Sequence, residues 1–148
     1  MTDSDDQTPD FAQRLEGKFT GILRWEQLEA LWDAINGSGK AWFLYQVGNE
    51  LPPLPLKGDG LRHALQELDR LLRTDHEHDY CGIVYADRPA EPTLVKVYDP
   101  NNLGYSCGSS GLKIPPRWII SLQRPTEILD DAPTPKNRQR WWRRLFGA

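Results

Sequence analysis

The sequence predicts a small α+β domain in which about four mostly antiparallel strands carry two amphipathic helices on one face. Three observations lead there. Two stretches repeat their apolar residues at helical period, four short runs have the β-branched and aromatic content of strands, and clusters of Gly, Pro, Asn and Asp separate them. A chain of 148 residues is long enough to bury a core without disulfides or metals, and one domain over residues 11–124 accounts for all six elements.

The first ten residues (MTDSDDQTPD) have no apolar side chain after Met1 and are expected to be a disordered acidic tail. Residues 11–20 have no decisive pattern. From Leu23 the pattern turns helical: Leu28, Leu31, Trp32 and Ile35 fall at i, i+3, i+4 and i+7, Trp25 extends the stripe, and Glu26, Gln27, Glu29 and Asp33 take the other side. Asn36-Gly37-Ser38-Gly39 ends this helix, since glycine readily adopts the left-handed backbone of a helix C-terminus.

Residues 41–48 (AWFLYQVG) read as a strand covered on both faces and therefore inside the sheet. The prolines of Leu51-Pro52-Pro53-Leu54-Pro55-Leu56-Lys57 favour an extended connection. They also fit the P-x-x-P-x-basic form read by SH3-type grooves, although the place between two core elements favours a structural loop. A second helix follows, with Asp59 as its expected cap and Leu61, Ala64, Leu65, Leu68, Leu71 and Leu72 on one face, and it ends near Thr74-Asp75.

Residues 80–85 (YCGIVY) and 93–98 (TLVKVY) form the expected hairpin around a turn at 86–92, and residues 117–122 (RWIISL) return as the last strand after a Gly/Ser-rich loop. The strand–helix–strand unit from Ala41 to Tyr85 fits a right-handed parallel crossover.

Charge and cysteine content narrow the function. The net charge is -3, yet Asp3, Asp5, Asp6 and Asp10 gather at one end while Lys136, Arg138, Arg140, Arg143 and Arg144 gather at the other. With no apolar run near the roughly 20 residues that span a bilayer, and an acidic rather than a basic start, a cytoplasmic protein is expected, peripheral to a membrane if its tail binds one. The two cysteines are then expected to be free thiols.

Four groups compete as sites. His76, His78, Cys81 and Cys107 have the donor types of tetrahedral zinc, but their spacing is not one of the recurring zinc patterns, and a strand cysteine is usually a small core hydrophobe. Cys107, flanked by glycines and serines, has the setting of a nucleophile with His63, His76 or His78 as base, or of a harmless loop thiol, because no cysteine-enzyme signature surrounds it. The same loop lacks the lysine and following helix of a phosphate loop. Glu26, Glu29, Asp33, Glu67 and Asp69 lie on solvent faces of helices, where carboxylates mostly serve solubility.

The fourth group is the tail over residues 125–148, a linker followed by a basic amphipathic segment. Five cations and four large apolar side chains fall within residues 136–146. As a helix it places Trp141, Trp142, Leu145 and Phe146 on one face as anchors, flanked by Arg140, Arg143 and Arg144, which with Arg138 supply attraction. That is the composition of a segment that contacts an anionic membrane surface or an acidic protein partner. Arginine beside tryptophan also suits single-stranded nucleic acid, although the acidic body has no recognisable nucleic-acid module. In the plainest alternative the tail folds back, its tryptophans covering an apolar patch and its arginines meeting the acidic N-terminus or Asp130-Asp131. The expected function is thus a non-enzymatic interaction or accessory module acting through the tail, with no cofactor. A thiol or zinc protein is the rival reading, and nucleic-acid binding through the tail a further one.

Overall fold

The computed structural model describes residues 10–76, 79, 81–100, 115–128 and 136–146. Their elements are α1 (Phe11–Leu15), β1 (Thr20–Ile22), α2 (Trp25–Asn36), β2 (Phe43–Gln46), α3 (Gly58–Asp75), β3 (Val84–Ala86), β4 (Leu94–Val97), β5 (Trp118–Ser121) and α4 (Lys136–Phe146). Among the described residues the chain is an α+β domain of four helices and one five-stranded sheet in the order β1-β3-β4-β5-β2, with every neighbouring pair antiparallel. The expected sheet of about four strands therefore gains β1.

β1 escapes the periodicity test because it is three residues long. It pairs with β3 in the register Thr20↔Ala86 to Ile22↔Val84. The pairing continues past the strand, since the amides of Cys81 and Gly82 donate to the carbonyls of Leu23 and Ile22 at 2.7 and 2.9 Å. β3 starts later than the 80–85 run suggests because Gly82 takes φ 71°, a left-handed conformation that interrupts an extended strand.

The parallel crossover does not occur. β2 pairs antiparallel with β5 at the far end of the sheet from β1, so it runs antiparallel to β3 as well and is an edge strand. Its continuous apolar run reflects cover from elsewhere: all four of its residues are buried, and the proline segment bends back so that Leu56 bridges Trp42 through paired backbone hydrogen bonds of 2.8 and 2.7 Å. That commits the end of the proline run to the fold, and Arg124 donates to the Pro53 carbonyl at 3.3 Å.

Two apolar clusters flank the sheet. The larger joins Ile22, Leu44, Val84, Val95, Val97, Trp118 and Ile120 to Leu28, Leu31 and Ile35 of α2, to Leu61, Leu65, Leu68 and Leu72 of α3, and to Trp141 of α4. The smaller sets Phe11 of α1 against Tyr45, Val47, Leu94 and Ile119, with Ile128 packed beside them. Sequence alternation along β5 explains the division, since Trp118 and Ile120 face one cluster and Ile119 the other.

Local chemistry differs from expectation at two helix ends. Gly37 caps α2 in a right-handed conformation and the left-handed residue is Gly39, at φ 70°. Lys57, not Asp59, is the N-cap of α3; Asp59 lies in the first turn and pairs with Arg62 at 2.8 Å. Asp10 caps α1, accepting from the Gln13 amide at 2.8 Å.

Asp87 organises the β3–β4 turn. One of its oxygens accepts from the amides of Arg88, Thr93 and Leu94 at 2.9, 2.9 and 3.2 Å, the other accepts from the Thr93 hydroxyl, and Arg14 lies 3.5 Å away. Burial pushes its carboxyl pKa up, but the hydrogen bonds from Thr93, Leu94 and Arg88 outweigh it and hold the pKa below the usual carboxylate value. A depressed folded pKa stabilises the fold above the unfolded value, about 3.9, and that stabilisation is lost as pH falls through the folded value. Urea midpoints measured from pH 5 down to pH 2 should therefore fall less steeply for Asp87→Asn than for the parent; parallel curves would refute the role.

Candidate functional site: the outer face of helix α4

Helix α4 carries the densest run of cations among the described residues. Its eleven residues carry five cations and no acid, but the cations divide by direction. Arg138 and Trp141 face inward, at 2% and 8% exposure. Arg140, Arg143 and Arg144 are exposed, and none of the three has an ion-pair partner among the described residues.

The inward half is a clamp. Arg138 donates through Nε and one terminal nitrogen to both Asp99 oxygens at 3.0 and 2.9 Å, and through the other nitrogen to Asp75 at 2.7 Å. These charge-assisted bonds raise the guanidinium pKa against the opposing effect of burial. Arg117, also buried, brings Nε to 3.5 Å from Asp99 and donates to the Val47 carbonyl at 3.0 Å. Beside the ions, Trp141 meets Trp118 edge to face at 5.8 Å, and the Trp118 indole donates to the buried Gln46 side chain at 2.8 Å. Gln46 in turn donates to Asn49 at 3.0 Å. The ends of α3, β4 and β2 and the start of β5 thus converge under α4.

The outward half adjoins a groove of about 780 Å³. Its walls are the 49–54 segment with Leu44 and Leu56 on one side, and Gln139, Trp142, Arg143 and Phe146 of α4 on the other. Leu51, Leu54 and Phe146, three of the four exposed large apolar side chains among the described residues, line it at 40%, 74% and 37% exposure. Leu145 and Trp142 are half-buried against the larger cluster, and Trp142 stacks tilted on Phe146 at 4.4 Å. Of the eight tail residues singled out by sequence, the fold uses Arg138 and Trp141 inside and offers Arg140, Arg143, Arg144 and Phe146 outside, with Trp142 and Leu145 at the boundary.

Of the other candidates, the described residues include His63, His76 and Cys81. His78 and Cys107 lie outside the described residues. His76 is buried, and its Nε2 donates to the Cys81 carbonyl at 2.6 Å, a bond that ties the end of α3 to the residues just before β3. Cys81 is a buried free thiol whose pKa is raised by that burial, partly offset by the amides of Ile83 and Val84, which leaves it a poor thiolate at neutral pH. Among the described residues no group of three or more His, Cys, Asp or Glu could hold a metal ion. His63 is exposed on α3. Glu29 and Asp69 pair with Arg73 at 3.1 and 2.9 Å, and Asp69 also accepts from the Trp32 indole at 3.0 Å, so these carboxylates join α2 to α3.

Sequence reading missed Asp99, Arg117 and Gln46. A signal existed: Asp99 follows one apolar strand run and Arg117 precedes the next, and antiparallel pairing sets the end of one strand beside the start of its neighbour.

No described helix is long and apolar enough to cross a membrane. The fold and this face together define a small α+β domain with a cationic, partly apolar surface. No protein-family model matches the chain, and no curated protein or solved structure is significantly similar to it.

The inward half generates a prediction. Asp99→Ala leaves two buried guanidinium groups short of their shared carboxylate and should cost about 3–5 kcal/mol in urea denaturation. Arg140→Ala, at the surface, should stay within about 0.5 kcal/mol. Equal effects would show that the clamp does not hold the helix.

Proposed function

We propose that the protein is a non-enzymatic accessory module that binds an anionic membrane surface through the outer face of α4 and the neighbouring proline segment. One observation carries this reading: three exposed guanidinium groups without ion-pair partners among the described residues adjoin three exposed large apolar side chains. Water solvates the apolar half of such a surface poorly, and an interfacial lipid layer accommodates both halves of it. Arginines near an anionic leaflet contribute about 1 kcal/mol each, while leucine and aromatic side chains suit the headgroup boundary.

The helix binds as a docked face. Arg138 and Trp141 remain in the fold, so attraction rests on Arg140, Arg143 and Arg144, and apolar contact on Leu51, Leu54 and Phe146. An acidic protein partner is recognised by the same charges, and it is separated from a membrane by the same experiment.

Co-sedimentation with phosphatidylglycerol vesicles tests the reading on the full-length chain. Truncation before α4 would remove Trp141 from the core, so point variants replace it. Binding should appear with phosphatidylglycerol, fail with phosphatidylcholine and weaken as salt rises. The triple variant Arg140→Gln, Arg143→Gln, Arg144→Gln should lose about 3 kcal/mol, near 100-fold, with its urea midpoint unchanged. Equal binding to both lipids, or none to either, would reject it.

A further inference from the structure

The groove adds a feature that a flat leaflet does not use. Leu44, Leu56 and Trp142 are at least half-buried in its walls, and Leu51, Leu54 and Phe146 stand more open. Its volume lies within the range of small-molecule sites, about 300–1,000 Å³. Contact with headgroups alone would leave this concave apolar space without an occupant.

Arg143 lines that groove and also a second, shallower hollow of about 470 Å³ whose other walls are Asn137, Arg140 and Arg144. Residues 137, 140 and 144 succeed one another by three and four, which puts them on one side of the helix, and Arg143 lies three beyond Arg140. An apolar trough therefore opens at Arg143 into a cluster of guanidinium groups. Guanidinium forks match phosphate oxygens in pairs, and an Asn amide adds a neutral donor. Glu50 is the one acidic residue among the groove's described walls, which places an anionic group at the Arg143 end and not along the 49–54 segment.

We infer that the trough and the arginine cluster together hold a single anionic phospholipid, its phosphate on Arg140, Arg143 and Arg144 and one acyl chain between Leu51, Leu54, Trp142 and Phe146. This rests on the membrane reading and sharpens it: the module takes hold of one lipid molecule as well as adhering to a charged surface.

The test uses the full-length chain and dihexanoyl-phosphatidylglycerol below its critical micelle concentration, so that lipid is offered without a surface. Backbone and side-chain N–H shifts are followed by nuclear magnetic resonance. Saturable 1:1 binding is expected, moving the Trp142 indole and Arg143 Nε–H signals. Arg143→Gln and Phe146→Ser, both at exposed positions, should each weaken it at least tenfold. Glycerol phosphate, which lacks chains, and dihexanoyl-phosphatidylcholine, which lacks net charge, should each bind at least tenfold more weakly than the anionic lipid. Equal affinity for glycerol phosphate would overturn the acyl part, and equal affinity for phosphatidylcholine the arginine part. Absence of monomer binding while phosphatidylglycerol vesicles still sediment the protein would overturn the single-lipid site alone. Absence of both would overturn the membrane reading with it.

Discussion

The bidentate pair between Arg138 and Asp99 is the constraint on which the rest depends. Asp99 lies just beyond β4, Arg117 just before β5, Asp75 at the end of α3 and Arg138 in the first turn of α4. Four segments far apart in sequence meet through one carboxylate and its neighbours. Buried ions are costly to desolvate, and they persist where each lone pair and proton has a partner in good geometry. Such a pair specifies an arrangement more than it adds stability. Here it sets the rotation of α4 and thereby decides which of its arginines reach solvent.

That rotation separates buried from exposed cations on one short helix. With Arg138 turned to Asp99 and Trp141 against Trp118, the helical period leaves Arg140, Arg143 and Arg144 outside and carries Phe146 to the rim of the groove. The proline segment forms the opposite wall for a related reason. β2 is an edge strand, and the segment that shields its start through Leu56 bows outward over residues 49–54, exposing Leu51 and Leu54. Protection of a sheet edge and one wall of the groove thus come from the same segment.

Much of the domain was legible in the sequence. Helices α2 and α3 declared themselves through Leu28, Leu31, Trp32 and Ile35 and through the leucines from Leu61 to Leu72, because packing against a sheet demands that period, whereas the five residues of α1 are too few to show it. The β3–β4 hairpin and β5 were equally clear. Other features left no periodic trace. Thr20-Gly21-Ile22 is too short to alternate convincingly. The apolar run Phe43–Gln46 marks burial but not its source, so an edge strand covered by Leu56 reads like a central one. Most of the candidate site was visible as composition, yet its division was not: Arg138 and Arg140 differ only in which acidic residues lie beneath them, and that depends on contacts with Asp75 and Asp99, dozens of residues away.

The most direct test of a docked helix that binds by its outer face is fluorine resonance of the full-length protein labelled with 5-fluorotryptophan, its six signals assigned by single Trp→Phe changes. Phosphatidylglycerol bicelles containing a spin-labelled acyl chain are then added. Broadening strongest at Trp142 and weaker at Trp141, whose ring lies 6.2 Å away, and weaker again at Trp118, is the predicted result. Broadening of Trp141 equal to that of Trp142 while Trp118 stays sharp would mean that the helix leaves the sheet to bind, and a sharp Trp142 would mean that this face does not meet the lipid; either contradicts the account.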